Sequence, residues 1–248
     1  PDSPYHDLRT SRPTYSKTMA ALMKHKGERR IDSVDGADVR RWYKELTEAK
    51  SRSWAYFTVN VLKVVVSFGA TLRMRECKQL REELSAAKFK GGKRREERLT
   101  FEQVEAFCTK AHELGFGWMA LCVRAQFAFG MRRRDVIGKW VKDAPGTDGV
   151  RNKRKVWRDG LTWADIDGQG IVTRIVSKTR NTSGAVAAHA IHDYPDLMLE
   201  LAAHGFPLER RVGPIVINAK TGLPPTEAQC RPYFRRIARA AGIPDAVW

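Results

Sequence analysis

Cysteine is scarce in this 248-residue chain and poorly placed for a shared role. Cys77, Cys108, Cys122 and Cys230 show no C-x-x-C spacing, and three of the four fall in helical patterns. That spacing excludes a disulfide framework and a zinc knuckle, and leaves four small core residues in a reducing compartment. His189 and His192 form the only H-x-x-H pair, at the end of an expected strand and in the turn after it, with no third ligand in view. No metal site is expected. The chain also lacks a glycine-rich phosphate loop and a cluster of carboxylates, so no cofactor is expected. No apolar run approaches the roughly 20 residues that cross a bilayer, and no helix lines its cations along one face as an interfacial anchor does. Nor is there a secretory apolar segment. These absences predict a soluble, cytoplasmic protein with no membrane partner.

What the chain has in excess is positive charge. Lysine and arginine number 45 against 28 aspartate and glutamate, a net +17. A balance this basic points to a polyanionic partner, nucleic acid first. The excess is spread, with 23 basic against 13 acidic residues in 1 to 98 and 22 against 15 in 99 to 248. Both halves are therefore able to face a duplex.

The apolar pattern divides the chain in two. Helical spacing recurs over 14 to 26, 35 to 49 and 53 to 72, and more weakly over 76 to 87; in the second stretch Val39, Trp42, Tyr43 and Leu46 share one stripe. The spacing predicts a compact helical domain over 1 to 87. "KFKGGKRREER" (88 to 98) then reads as a solvated basic linker. "LTFEQVEAF" follows, with Thr100 and Gln103 in a capping-box relation that opens a helix and a second domain, 99 to 248. Residues 117 to 129 are apolar nearly all round, which suits a buried helix. The polar stretch 142 to 160 reads as a long exposed loop. "LTWADID", "GIVTRIVSKT" and "GAVAAHAI" predict three antiparallel strands, and two helices are expected at about 195 to 204 and 226 to 241. The predicted fold class is mainly α with a small antiparallel β-sheet (α+β).

The order of these parts, together with "GMRRRD" and "SKTRNTSG", resembles the tyrosine recombinase (phage integrase) family, whose members cleave and rejoin DNA through a 3′-phosphotyrosyl intermediate. In that family's G-L-R-x-x-E segment the arginine is catalytic, and here Gly130, Met131, Arg132, Arg133, Arg134 and Asp135 occupy it. The resemblance implies that Arg132 is the catalytic arginine and Asp135 its support. A guanidinium presented from a buried helix offers a preorganised two-pronged donor to the non-bridging oxygens, where negative charge develops. The resemblance also implies that Lys178, on a hairpin between strands, is the general acid for the leaving 5′ oxygen, since an ammonium can release a proton that a guanidinium holds. The bland alternative is a solvated helix end, where three arginines would complement the macrodipole at a C-terminus.

The family's remaining elements, a His-x-x-Arg segment, a His or Trp and the nucleophilic tyrosine, have no counterpart after Lys178. Tyr233 reads as a core or DNA-facing residue, and His6-x-x-Arg9 precedes the first helix and is treated as coincidence. A chain that opens on proline is expected to be a C-terminally incomplete piece of a recombinase. The resemblance further implies a homo-tetramer on DNA for the complete protein, a monomer for this piece, association with the nucleoid, and a DNA clamp made by both domains. Candidate contacts are Lys17, Arg40, Arg41 and Lys44 on the first two helices, Arg52, Ser53, Tyr56, Asn60 and Lys63 along the third, and Lys93, Arg94 and Arg95 in the linker. Arg133, Arg134 and Arg180 join them as backbone contacts. Arg52, Asn60 and Lys63 have the side chains and spacing to reach base edges. Two other readings remain, a recombinase-like DNA-binding protein without chemistry and a basic RNA-binding protein.

Overall fold

The computed structural model describes residues 12–93, 96–144, 148–175, 184, 186–204 and 212–245. The chain separates into two compact units, Pro1–Arg94 and Arg95–Trp248.

The first unit is helical: α1 (Arg12–Lys26), α2 (Gly36–Ala49), α3 (Arg52–Thr71) and α4 (Arg75–Ala86). Local chemistry sets two of the starts. Asp35 accepts from the Asp38 backbone N–H at 2.8 Å ahead of α2, and Ser51 accepts from that of Trp54 at 3.2 Å ahead of α3. Val39 and Trp42 of α2, Val59, Leu62 and Val66 of α3, and Cys77, Leu80 and Leu84 of α4 form one buried cluster. A side chain at Gly69 would run into Cys77, so glycine sets the approach of α3 to α4. By length and composition alone α3 is long and apolar enough to cross a membrane, contrary to the expectation that no segment comes near. In this unit Val59, Val61, Leu62 and Val66 are buried in the core, while Val64 and Val65 stay exposed.

The expected linker also differs from its reading. Phe89 packs on the first unit's cluster and against Tyr43, centroids 5.3 Å apart, while the Tyr43 hydroxyl donates to the Lys90 carbonyl at 2.6 Å. A Cβ at Gly92 would collide with the Ser53 hydroxyl, so glycine at that position lets the backbone lie against α3.

The second unit is built on α5 (Phe101–Glu113), α6 (Gly117–Phe129) and the short α7 (Arg133–Ile137), with α8 (Pro195–Ala203) and α9 (Glu227–Ala240) packed around them. Capping boxes start α5 (Thr100 and Gln103) and α9 (Thr226 and Gln229), as the sequence indicates for α5. The core joins Phe107, Met119, Leu121, Ile137, Leu161, Leu197 and Ile237.

The strands are not where the alternation put them. "LTWADID" winds into a 3-10 turn over Trp163–Asp165, because Asp165 Oδ2 accepts from both the backbone N–H and the hydroxyl of Thr162, each at 2.7 Å. It meets β4 through the isolated bridge Ile166↔Val172 and the hydrogen bond from the Asp167 N–H to the Ile171 carbonyl at 3.1 Å, not as a paired strand. The second and third expected strands do pair, β4 (Ile171–Ile175) with β5 (Val186–Ala190), antiparallel from Ile171↔Ala190 to Ile175↔Val186. The supposed loop carries a sheet of its own: β1 (Lys139–Lys142), β2 (Arg151–Asn152) and β3 (Lys155–Arg158), in the order β1-β3-β2. Its strands are short and basic, and within β3 only Val156 and Trp157 are buried, so little alternation marks them.

Trp157 fixes this sheet to the core. Its indole N–H donates to the Ile137 carbonyl at 2.8 Å, and its ring lies against Gly138 and Gly160. Gly138 has φ of 72° and a Cβ there would lie 2.5 Å from the indole nitrogen, whereas Gly130, with φ of 59°, has open space. Gly130→Ala is therefore expected to cost about 1 kcal/mol from left-handed strain alone. Gly138→Ala, adding a clash, should cost roughly 2–4 kcal/mol. Urea unfolding of the two variants measures the difference.

Candidate phosphate cleft and nucleic-acid interface

α6 is buried from Trp118 to Ala125, as its all-round apolarity indicates. Its internal arginine, Arg124, is paired with Glu105. The helix ends at Phe129, Gly130 turns the chain in a left-handed conformation, and Arg132 follows in extended conformation (φ −69°, ψ 149°) as the residue that precedes α7. Arg132 is thus presented from a turn after the buried helix, not from the helix itself. Its side chain is half exposed, and its nearest carboxylate oxygen, Asp135 Oδ2, is 4.0 Å from Nη1. The Asp135 backbone N–H donates to the Arg132 carbonyl at 2.8 Å, so the pair is linked chiefly through the main chain. The other two arginines diverge. Arg134 Nη2 pairs with Glu227 Oε2 at 3.2 Å, and Arg133 turns into a cavity between α6 and α9. Arg132 precedes α7 and Arg133 opens it, so a C-terminal macrodipole does not account for these two.

Arg132 and Asp135 border a cleft of about 220 Å³ whose far wall is the β4–β5 pair, through Arg174, Ile175 and Ala187. Arg174 was not singled out by the sequence, and it is the best-anchored side chain there. Nη1 donates to the Gly160 carbonyl and to Asp165 Oδ2, both at 2.7 Å, and Nη2 donates to the Asp159 carbonyl at 2.9 Å. It ties β4 to the 3-10 turn and leaves Arg132 as the guanidinium with capacity for an anion. Lys178 and Arg180 lie outside the described residues, as do Arg94, Arg95, His6 and Arg9. Tyr233 packs edge-on against Phe116 and Trp118, at 4.8 and 5.4 Å between centroids, which makes it a core aromatic. His189 stacks on Phe129 at 4.9 Å and His192 is exposed beside Asp193; among the described residues no group of three or more metal-ligating side chains assembles.

In the first unit, the structure brings Lys44 and Arg52 to one cavity of about 380 Å³ with Lys88 and Lys90, which the sequence reading left in the linker, and one carboxylate, Glu48. Arg52, Tyr56, Asn60 and Lys63 recur on one face of α3. Lys63 Nζ stands 5.2 Å over the Phe89 ring, Gly91 passes against Tyr56 and Gly92 against Ser53. Arg41 is engaged by Asp38 at 3.3 Å, a carboxylate that also holds Arg29. Lys17, Arg40 and Lys93 are exposed.

No protein-family model matches this sequence, and no curated protein does. Solved structures do. The chain has the fold of the tyrosine recombinases. A lambda integrase (residues 75–356) dimer bound to a COC′ core site matches with a TM-score of 0.68 at 14% identity, covering 95% of this chain and 76% of that one. A lambda integrase tetramer bound to a Holliday junction matches with a TM-score of 0.70 at 14% identity, over 95% of this chain and 59% of that one. The Tn1549 transposon integrase in complex with circular intermediate DNA gives 0.61 at 14% identity, covering 96% and 76%. At such identity the likeness is one of fold, and it agrees with the fold class and family resemblance expected from the sequence.

The cysteines conform to a packing role. Burial pushes the Cys108 thiol up to about 12 and that of Cys230 to about 11, and it raises Cys122 and Cys77 as well. Thiolate is then scarce near neutrality. In the folded chain at pH 8 all four thiols should resist iodoacetamide, and all should react after unfolding in guanidinium, as read by mass spectrometry.

Proposed function

We propose that this chain is the DNA-gripping body of a tyrosine-type site-specific recombinase or integrase. The observation that carries the reading is the Arg132 cleft: a half-exposed guanidinium, fixed through its main chain beside Asp135, in a unit with the recombinase fold. In the proposed reaction a tyrosine outside these 248 residues attacks the scissile phosphorus. The bond to the 5′ oxygen breaks, Lys178 gives that oxygen its proton, and the DNA is held as a 3′-phosphotyrosyl ester. A 5′ hydroxyl of a second strand then reverses the step. Arg132 stabilises the charge on the non-bridging oxygens, and Asp135 supports it. Storing the phosphodiester as a covalent ester removes the need for a nucleotide or metal cofactor.

The helical unit over 1 to 87 serves as the DNA-binding domain and 99 to 248 as the catalytic domain, with the basic segment between them crossing the duplex. Lys44, Arg52, Lys88 and Lys90 supply phosphate contacts, and the α3 face of Arg52, Asn60 and Lys63 reads bases. The complete protein acts as a homo-tetramer on double-stranded DNA in the cytoplasm. The chain alone is a monomer or weakly associated, with no membrane partner. The other reading, a DNA-binding relative without chemistry, keeps the clamp and drops the ester.

One measurement separates these readings, and a second tests the DNA grip that they share. With the complete protein and a nicked DNA substrate, a covalent adduct surviving denaturing gel electrophoresis without magnesium is expected, formed about 10²–10³-fold more slowly by Arg132→Ala. Absence of any adduct from the unsubstituted protein would overturn the cleaving reading and leave the binding one. In DNA binding by this chain, replacing Lys44 and Arg52 with alanine should reduce the slope of log K against log salt by about 1 for each cation. Arg132→Ala should change affinity little.

A further inference from the structure

Between Arg180 and Arg210 the sequence has no lysine or arginine, in a chain that has 45, and the same stretch carries Asp193, Asp196, Glu200 and Glu209. Its described helix, α8, buries Leu197 and Leu201 but leaves Leu199 72% exposed and Met198 38% exposed. Asp193 and Asp196 stand at the start of this apolar ridge. Glu200 is buried and taken up by His112 and His204, so Asp193 and Asp196 are the carboxylates that, with the apolar ridge, a basic and apolar protein surface would meet.

Such a surface exists on the same unit. A cavity of about 490 Å³ between α6 and α9 has apolar walls, among them Met119, Val123 and Phe234, and its charged residues are Arg133, Arg231 and Arg235 with no aspartate or glutamate. The Arg133 Nε is buried without a hydrogen-bond partner. Two cysteines also line it, Cys122 and Cys230, but burial keeps both thiols protonated, so they bring no countercharge. At the rim Phe127 is 43% exposed and lies near Phe101, itself 49% exposed, with centroids 6.4 Å apart.

Ridge and cavity are opposite in shape and in sign, and they are different patches of one chain. We propose that Met198 and Leu199 of one copy dock in the α6–α9 cavity of a second copy, with Asp193 and Asp196 meeting Arg133, Arg231 and Arg235. Contacts of this kind are heterologous: every copy inserts once and receives once, and a ring forms where the rotation closes. The proposal rests on the recombinase reading only for the occasion, DNA bringing copies together; the two surfaces owe nothing to the cleavage chemistry.

The test is sedimentation velocity of the 248-residue chain without DNA, from about 1 µM to about 500 µM, the range in which a contact of this size associates. Mass should rise with concentration, and Leu199→Asp or Arg235→Glu should each weaken association by about ten-fold or more. Both residues are exposed, and circular dichroism checks that both variants fold. The deciding arm mixes the two variants. Leu199→Asp keeps its cavity and Arg235→Glu keeps its ridge, so an equimolar mixture should form a 1:1 dimer and nothing larger. A chain that stays monomeric throughout overturns the proposal, as does association insensitive to either substitution, or a mixture without the dimer. Covalent adduct formation is not read in this experiment, so failure of the recombinase reading leaves its outcome distinguishable.

Discussion

Burying α6 on nearly every side leaves its chain no place to present a charge except at its end. Inside the helix one arginine is present, and it is held by Glu105. At the end, Gly130 adopts the left-handed conformation that a side chain would resist, and Arg132 follows in extended conformation with its side chain half exposed. That turn separates Arg132, Arg133 and Arg134, sending one to a cleft, one into a cavity and one to Glu227. Without the buried helix the turn would have nothing to be rigid against. Without the turn, the three arginines would continue a helix and spread over a buried surface, where an unpaired cation is costly.

The two arginines that border the cleft divide the work between them. Arg174 has its donors on two carbonyls and a carboxylate, which makes it a tie between β4 and the 3-10 turn. Arg132 has one carboxylate contact, at 4.0 Å. An anion entering the cleft therefore meets one guanidinium already engaged and one still available. The anchored wall gives the cleft a fixed side opposite Arg132.

The helices were legible because their signals are local. Spacing marked α1 to α4 to within about two residues, and Thr100 with Gln103 marked the start of α5 through a hydrogen-bonded box spanning three positions. The sheets were less legible, since a strand is defined by a partner elsewhere. Lys155–Arg158 is basic at both ends, and its identity depends on Trp157 reaching Ile137, which no local pattern encodes. Thr162 and Asp165 carry the same three-residue signature as a helix cap, and they turned an apparent strand into a 3-10 turn. At the cleft, Arg132 was legible from a short motif. Arg174 was not, because an arginine in an alternating strand looks solvated until its carbonyl partners, 14 and 15 residues away, are known. Lys88 and Lys90 were hidden for a similar reason: Phe89 between them is the anchor, and one aromatic in a basic run does not announce a core contact.

Charge in this protein is distributed by face as well as by amount. A net +17 spread evenly would repel other copies of the same chain as strongly as it attracts DNA. Instead, one stretch of the second unit omits cations altogether and carries carboxylates beside an exposed apolar ridge, while another concentrates arginines around an apolar cavity. The first gives a like-charged neighbour somewhere to approach, and the second gives it something to approach with. Salt screens the average charge of such a chain but not a desolvated contact, so the partition by face acts where the average does not.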